Sequence, residues 1–349
     1  MLLPVLTANA GSLRELHLQS LHGNYDTTDY PTVAAVVAAA PLLQILAAEK
    51  TRCTCEEAPR MLRTEPPFAL LQMRSSLEVH FSPDYHDFGV MVRFGPFAAA
   101  LVNAALHPAL SEVQICNVDA AHPAVMGALV DAALARRLRE LTLNCCTPPA
   151  AAPLARLLAE GSLELLTVID VELPGTALFD AAGAALVADA LRVNTTLKTL
   201  RLIDAHLCVD VDAAGVFLGA LLGHPSLREL LITSQFERTI AESCIALGAA
   251  LAALISADAP ALQILVCPRN RLGDAGLAPI VEALALNRHL RELDVNENGM
   301  SDAFARERLL PAVRANTTLR ALSCLDDDEP GLPAAAEAEE LVRLRRHRA

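Results

Sequence analysis

An α/β solenoid of about eleven strand–helix units, with a parallel concave sheet and outer helices, is the fold class this sequence predicts. Three observations lead to it. A triplet of aliphatic residues spaced L-x-x-L-x-L recurs about every 30 residues, and each interval is filled by an Ala- and Leu-rich stretch of helical period. Hydrophobic residues make up 53% of the chain against 20% charged, and the surplus lies in Ala, Leu and Val, not in aromatics. A chain of 349 residues would otherwise suggest two globular domains; an internal repeat overrides that prior.

Taken in chain order, the units start near residues 13, 43, 77, 110, 138, 163, 197, 227, 262, 290 and 319, which places the solenoid at 1–328 and a terminal segment at 329–349. Leu13, Leu16 and Leu18 open the series. Leu43, Leu46 and Ala48 follow, Leu77 with Val79 and Phe81 is irregular, and Leu110, Val113 and Ile115 restore the pattern. From Leu138, Leu141 and Leu143 the triplet keeps its phase through to Leu319, Leu322 and Cys324. Around Leu262, Leu265 and Cys267 it lengthens to L-x-x-L-x-L-x-x-N-x-L, with Asn270 and Leu272 in place.

The intervals read as helices. Leu277, Ile280, Val281 and Leu284 follow the i, i+3, i+4, i+7 spacing of one buried face. Asp274 is the expected N-cap and Asn287 the C-terminal stop. Asp180 to Val193, Asp212 to Leu222 and Asp302 to Ala315 repeat the plan, each led by an Asp suited to the positive end of the helix dipole. Neither a strand nor a helix of this kind buries its apolar edge alone, and stacked copies do.

At the ends, Leu3 to Asn9 looks like Leu310 to Asn316, so the chain opens inside a helix, either a cap or the remnant of a longer array. Asp326 to Gly331 form an acidic break, and Pro333 to Arg348 read as a capping helix with acids early and Arg343, Arg345, Arg346 and Arg348 late. The first ten residues lack the basic start and unbroken apolar run of a secretory signal. The stretch from Cys244 to Ala257 is too short to span a bilayer. Nine cysteines without dense even spacing fit reduced thiols and a cytoplasmic setting.

The period and the strand–turn–helix content resemble the ribonuclease-inhibitor-like type of leucine-rich repeat, similar also to the repeat regions of NOD-like receptors and Ran GTPase-activating proteins. Asn194-Thr195-Thr196-Leu197 and Asn316-Thr317-Thr318-Leu319, each entering a strand, carry that likeness, which covers roughly Leu2 to Asp328. The family places Asn or Cys at the ninth motif position to bond turn backbone. Here Cys146, Asn270 and Asn298 comply, while Thr51, Val118 and Ala205 are among the departures. The resemblance implies a curved interaction surface.

Since the motif leucines point inward, positions three, five, seven and eight face the hollow of the sheet or its rim. They carry Glu15, Glu49, Asp84, Glu112, Glu140, Asp170, Asp204, Glu229, Glu292, Asp294, Glu297 and Asp326, against Lys50, Arg201 and Arg269. An acidic concave face follows, and one sign of charge in a groove steers an oppositely charged partner. The expected partner-binding set is Glu112, Glu140, Asp170, Arg201, Asp204, Glu229, Arg269, Glu292, Asp294 and Glu297. At position two, Arg14, Arg139, Lys198, Arg228, Arg291 and Arg320 form a basic row along one edge, so some acids are expected to pair sideways.

Other chemistry finds little support. A net charge of −13 argues against nucleic acid, whose binding needs basic surface. Cys267, Cys324 and Cys146 sit where a small apolar residue is wanted. Cys53-Thr54-Cys55 and Cys145-Cys146 lack a second pair or close histidine to complete a zinc set, so neither metal nor cofactor is expected. The Asn-Thr-Thr triplets satisfy the glycosylation rule but are explained by their fixed place in the repeat. His17, His80, His206 and His289 are scattered, without a nucleophile at motif spacing, and no phosphate loop is present. The sequence therefore points to a non-catalytic protein-interaction scaffold whose partner offers a basic surface, with no nucleic-acid or membrane role. The alternative is a GTPase-activating regulator of a Ran-like small GTPase, which works by positioning the GTPase's own groups and leaves little trace.

Overall fold

The computed structural model describes residues 6–9, 11–22, 32–65, 70–80, 89–103, 107–118, 120–145, 148–170, 179–204, 210–234, 241–257, 261–325 and 332–346. They build an α/β solenoid with eleven strands in chain order, divided between two compact units. The first unit comprises 1–149 and 161–163, the second 150–160 and 164–349. No helix among the described residues is long and apolar enough to cross a membrane.

In the first unit, strands β1 (Glu15–His22), β2 (Ile45–Thr54), β3 (Leu71–His80), β4 (Glu112–Val118) and β5 (Glu140–Cys145) pair in parallel, each with the next. Helices α1 (Thr32–Ala39), α2 (Ala58–Leu62), α3 (Gly89–Val102) and α4 (Pro123–Arg136) alternate with them. Inside lie Leu46, Leu77, Val113, Ile115, Leu141 and Leu143, backed by Phe94 and Phe97, whose rings meet edge to face at 5.7 Å.

The second unit begins with α5 (Ala151–Glu160), followed by β6 (Leu165–Asp170), α6 (Ala181–Val193), β7 (Thr199–Ile203), α7 (Val211–Gly219) and β8 (Glu229–Ile232). It continues through α8 (Ala241–Ser256), β9 (Ile264–Val266), α9 (Gly273–Leu286) and β10 (Glu292–Asp294). A helical stretch follows, α10 (Asp302–Phe304), a π-turn (Ala305–Leu309) and α11 (Leu310–Ala315), before β11 (Ala321–Ser323) and α12 (Pro333–Arg346). Its strands also pair in parallel in sequence order, and the register sets Leu265, Leu293 and Leu322 side by side. That rung is the inward leucine stack the triplet spacing predicts, with Leu265 and Leu293 almost wholly buried.

The third repeat departs from the expected phase. Leu77 pairs with Val113 and Val79 with Ile115, so they are the second and third members of their triplet, not its start. The ladder between β2 and β3 slips between Ala48 and Lys50, and such a bulge is invisible to a fixed count of residues. Caps differ too. Asp180 accepts from Gly183 N at 2.7 Å as expected, but α7 is capped by Asp210 instead of Asp212, and α10 by Ser301 instead of Asp302. Asp274 is no cap: it accepts from Ser301 N at 2.8 Å and Ser301 Oγ at 2.6 Å, tying one repeat to the next. Within 302–315 the helix widens to the π-turn just ahead of Pro311, which has no N–H to offer the preceding turn.

Asparagines satisfy the backbone where each helix gives way to a strand. Asn194, Asn287 and Asn316 accept from the N–H groups two and three residues on, at 2.6 to 3.0 Å. Their amides donate to carbonyls one repeat back, Leu158, Ile255 and Leu284. His224 takes the same place, its Nδ1 accepting from Leu227 N at 3.1 Å. At the ninth motif position Asn270 and Asn298 form a second ladder: Asn298 Nδ2 donates to Cys267 O at 2.8 Å, and Asn298 Oδ1 accepts from Asn270 N at 3.1 Å.

Candidate functional site

Strand alternation decides which side chains reach the open sheet face. In β4 the side chains of Val113 and Ile115 are buried, while Glu112 and Gln114, which alternate with them, are half-buried. The same alternation turns Glu140, Arg201, Glu229, Glu292 and Asp294 away from the leucine core, as the sequence predicts. Asn117, Asp204, Arg269 and Glu297 stand at the eighth position with left-handed backbone, φ 61°, 55°, 59° and 52°. The chain turns there, and these side chains leave at the rim instead of the floor of the sheet. Asp170 closes β6 but its side chain, like Asp84, Asp326 and Cys146, falls outside the described residues.

In the first unit Glu112 and Glu140 are register partners on adjacent strands, which sets two carboxylates side by side. Glu78, which the misphased repeat hid from the sequence reading, pairs with Gln114 on the same face. Its carboxylate meets Arg52 Nε at 2.8 Å and His80 Nε2 at 2.5 Å. Glu15 and Glu49 lie exposed on the first two strands, and Lys50 is exposed beside Glu49.

In the second unit much of the acidity is answered sideways. Lys198 Nζ reaches Glu164 Oε2 at 2.5 Å and Arg201 Nη2 reaches Glu229 Oε1 at 2.8 Å, each across one repeat. Arg269 grips Glu297 with two bonds, 2.8 and 2.7 Å. These pairs are partly solvated, and such pairs contribute about 0–1 kcal/mol each. The position-two cations Lys198, Arg228 and Arg291 of this unit are exposed and Arg320 half-buried; in the first unit Arg14 and Arg139 are exposed.

The last repeats also carry acidity without a matching cation. Glu292 is half-buried and has no ion-pair partner among the described residues. Asp294 is held above the ordinary carboxylate range by burial first, and then by the neighbouring carboxylates of Glu339 and Glu297, against the lowering effect of Asn296 N. Glu339, from α12, accepts from Cys324 N at 2.7 Å, so the terminal helix brings a carboxylate to the same place. The sequence reading missed Glu339 because it lies outside the repeat motif.

No family model and no curated protein matches the chain. Among solved structures, it is similar to the actin-binding site 2 of leiomodin-1, at 17% identity and a TM-score of 0.30, covering 56% of this chain and 88% of that one. It is also similar to a chain of the Rad7 and Elc1 complex in yeast, at 12% identity and a TM-score of 0.30, covering 80% of this chain and 87% of that one.

Proposed function

We propose that the protein is a non-catalytic interaction scaffold of the leucine-rich-repeat class, resembling the ribonuclease-inhibitor-like type, that binds a basic protein surface in a cytoplasmic setting. The observation that carries this reading is the acidic cluster of Glu292, Asp294, Glu297 and Glu339 at the carboxy-terminal end of the second unit. Only Glu297 there is matched by an arginine among the described residues, and Asp294 is raised by repulsion from its neighbours as well as by burial. A cationic partner relieves that repulsion, so binding energy comes from charge already assembled. Buried cysteines outside any disulfide, at Cys53, Cys55, Cys116, Cys244, Cys267 and Cys324, suit a reducing compartment.

The test compares proteins retained by the immobilised parent with those retained by a Glu292→Lys, Asp294→Lys double variant. A basic partner whose association slows at least tenfold in the variant, and slows likewise as salt is raised, supports the reading. Equal association rates contradict it. Acceleration of single-turnover GTP hydrolysis by a Ran-like GTPase would instead establish the regulator.

A further inference from the structure

The first unit assembles a donor set of a different kind from the acids of the second. Glu78 and His80 are two residues apart on β3 and leave it by the same face. Cys116, on β4, is the register partner of His80. The carboxylate oxygen, ring nitrogen and sulfur of these three residues all lie within 4.8 Å of one another. From this juxtaposition we propose that Glu78, His80 and Cys116 bind one divalent transition-metal ion of the zinc class.

The donors match in chemistry. One thiolate, one imidazole and one carboxylate form a borderline-soft set that zinc accepts and that magnesium and calcium do not. Their surroundings fit as well. Arg52 Nε holds Glu78 Oε2 at 2.8 Å and leaves Oε1 turned to His80. Gln114 Nε2 lies 3.5 Å from Cys116 Sγ and restrains the sulfur. The His80 carbonyl accepts from Cys55 N at 2.9 Å, which fixes the strand end beneath the imidazole. Glu78 and His80 side chains are only 16% and 24% exposed, so bulk water competes weakly.

A His80–Glu78 ion pair alone would leave Cys116 without a reason. It continues the face that carries Glu112 and Gln114, where alternation calls for polar residues, yet it is 3% exposed. Zinc at about 2.0–2.3 Å from each donor separates tetrahedral ligands by roughly 3.3–3.7 Å. His80 and Glu78, now 2.5 Å apart, would part by about 1 Å, a movement side-chain rotation supplies. Three protein donors leave a fourth position for water or for a group from a bound partner.

Titration of chelator-stripped protein with Co²⁺ tests the site. The expected result is a thiolate-to-cobalt charge-transfer band that saturates at one equivalent, is abolished in Cys116→Ser, and needs at least tenfold more metal in His80→Ala. No band in the parent, or a band undiminished in both variants, overturns the proposal. X-ray absorption of the zinc-loaded parent gives a reading independent of variant folding: one sulfur with two or three nitrogen or oxygen neighbours supports it. A shell without sulfur, or with two or more sulfurs, overturns it.

Discussion

Asn316 accepts two backbone N–H groups of its own turn and donates to the Leu284 carbonyl of the preceding repeat. Removing that side chain strands buried groups on both sides of a repeat junction, and each unmet group costs about 1–3 kcal/mol. Asn316→Ala is therefore expected to lower stability by at least about 2 kcal/mol in urea unfolding; a loss below half that would show that water replaces the amide. His224 fills the equivalent place with a titratable ring, and His107, in the first unit, accepts from Met73 N at 3.1 Å with Nδ1 while Nε2 faces Met61 O at 3.2 Å. Burial lowers both imidazoles from the ordinary 6.5, partly offset at His224 by the Leu191 carbonyl and at His107 by that of Met61. The unfolded chain then takes up protons first, so this contribution to stability is complete above about pH 6.5 and is lost as pH falls toward the lowered folded values. His224→Asn, which installs the residue used at Asn194 and Asn316, should flatten the loss below pH 6.5 in pH-dependent melts. An unchanged slope would contradict the assignment. The Asn-Thr-Thr-Leu tetrapeptides made two of these junctions legible in the sequence. Asn287 was readable as a helix stop, and His224 hid a further junction, because there the same position is met by a different acceptor.

Between elements, α8 and α9 approach closely through their glycines. A Cβ on Gly248 would lie 2.0 Å from the Gly276 carbonyl oxygen, whereas one on Gly215 of α7 would meet nothing within 4 Å. Helix propensity alone favours alanine at both sites by about 0.5–1 kcal/mol. Packing reverses the sign at one of them: Gly215→Ala should stabilise by about that amount, and Gly248→Ala should destabilise by about 1–3 kcal/mol as the helices are forced apart. Thermal melts of the two variants check this, and stabilisation by both would refute the close packing. The helices themselves were readable from their apolar period, and Asp180 was readable as a cap. The third repeat was not, because Arg74 stands three residues before Leu77, where the triplet's first aliphatic residue is expected, so the count began at Leu77 and Glu78 was lost with it. Cys116 and His80 meet only through strand pairing, across a separation in sequence that no local motif spans.

At the scale of the molecule, stacked repeats hold one another by nearest-neighbour contact, so damage at one rung spreads along the array. Strand alternation makes adjacent residues opposite in role: Leu293 belongs to the stack with Leu265 and Leu322, and Glu292 to the open face of the sheet. The acidic composition was legible at once; its distribution was not, since the sideways pairs Arg201–Glu229 and Arg269–Glu297 depend on register. Comparing unfolding of Leu293→Asp and Glu292→Lys tests this arrangement most directly. Burying an unpaired carboxylate should remove more than about 4 kcal/mol and protection from hydrogen exchange in the carboxy-terminal repeats, while the neighbouring reversal stays within about 1 kcal/mol of the parent. Similar losses in the two variants, or a tolerated Leu293→Asp, would contradict the inward leucine stack and the outward alternation of its neighbours.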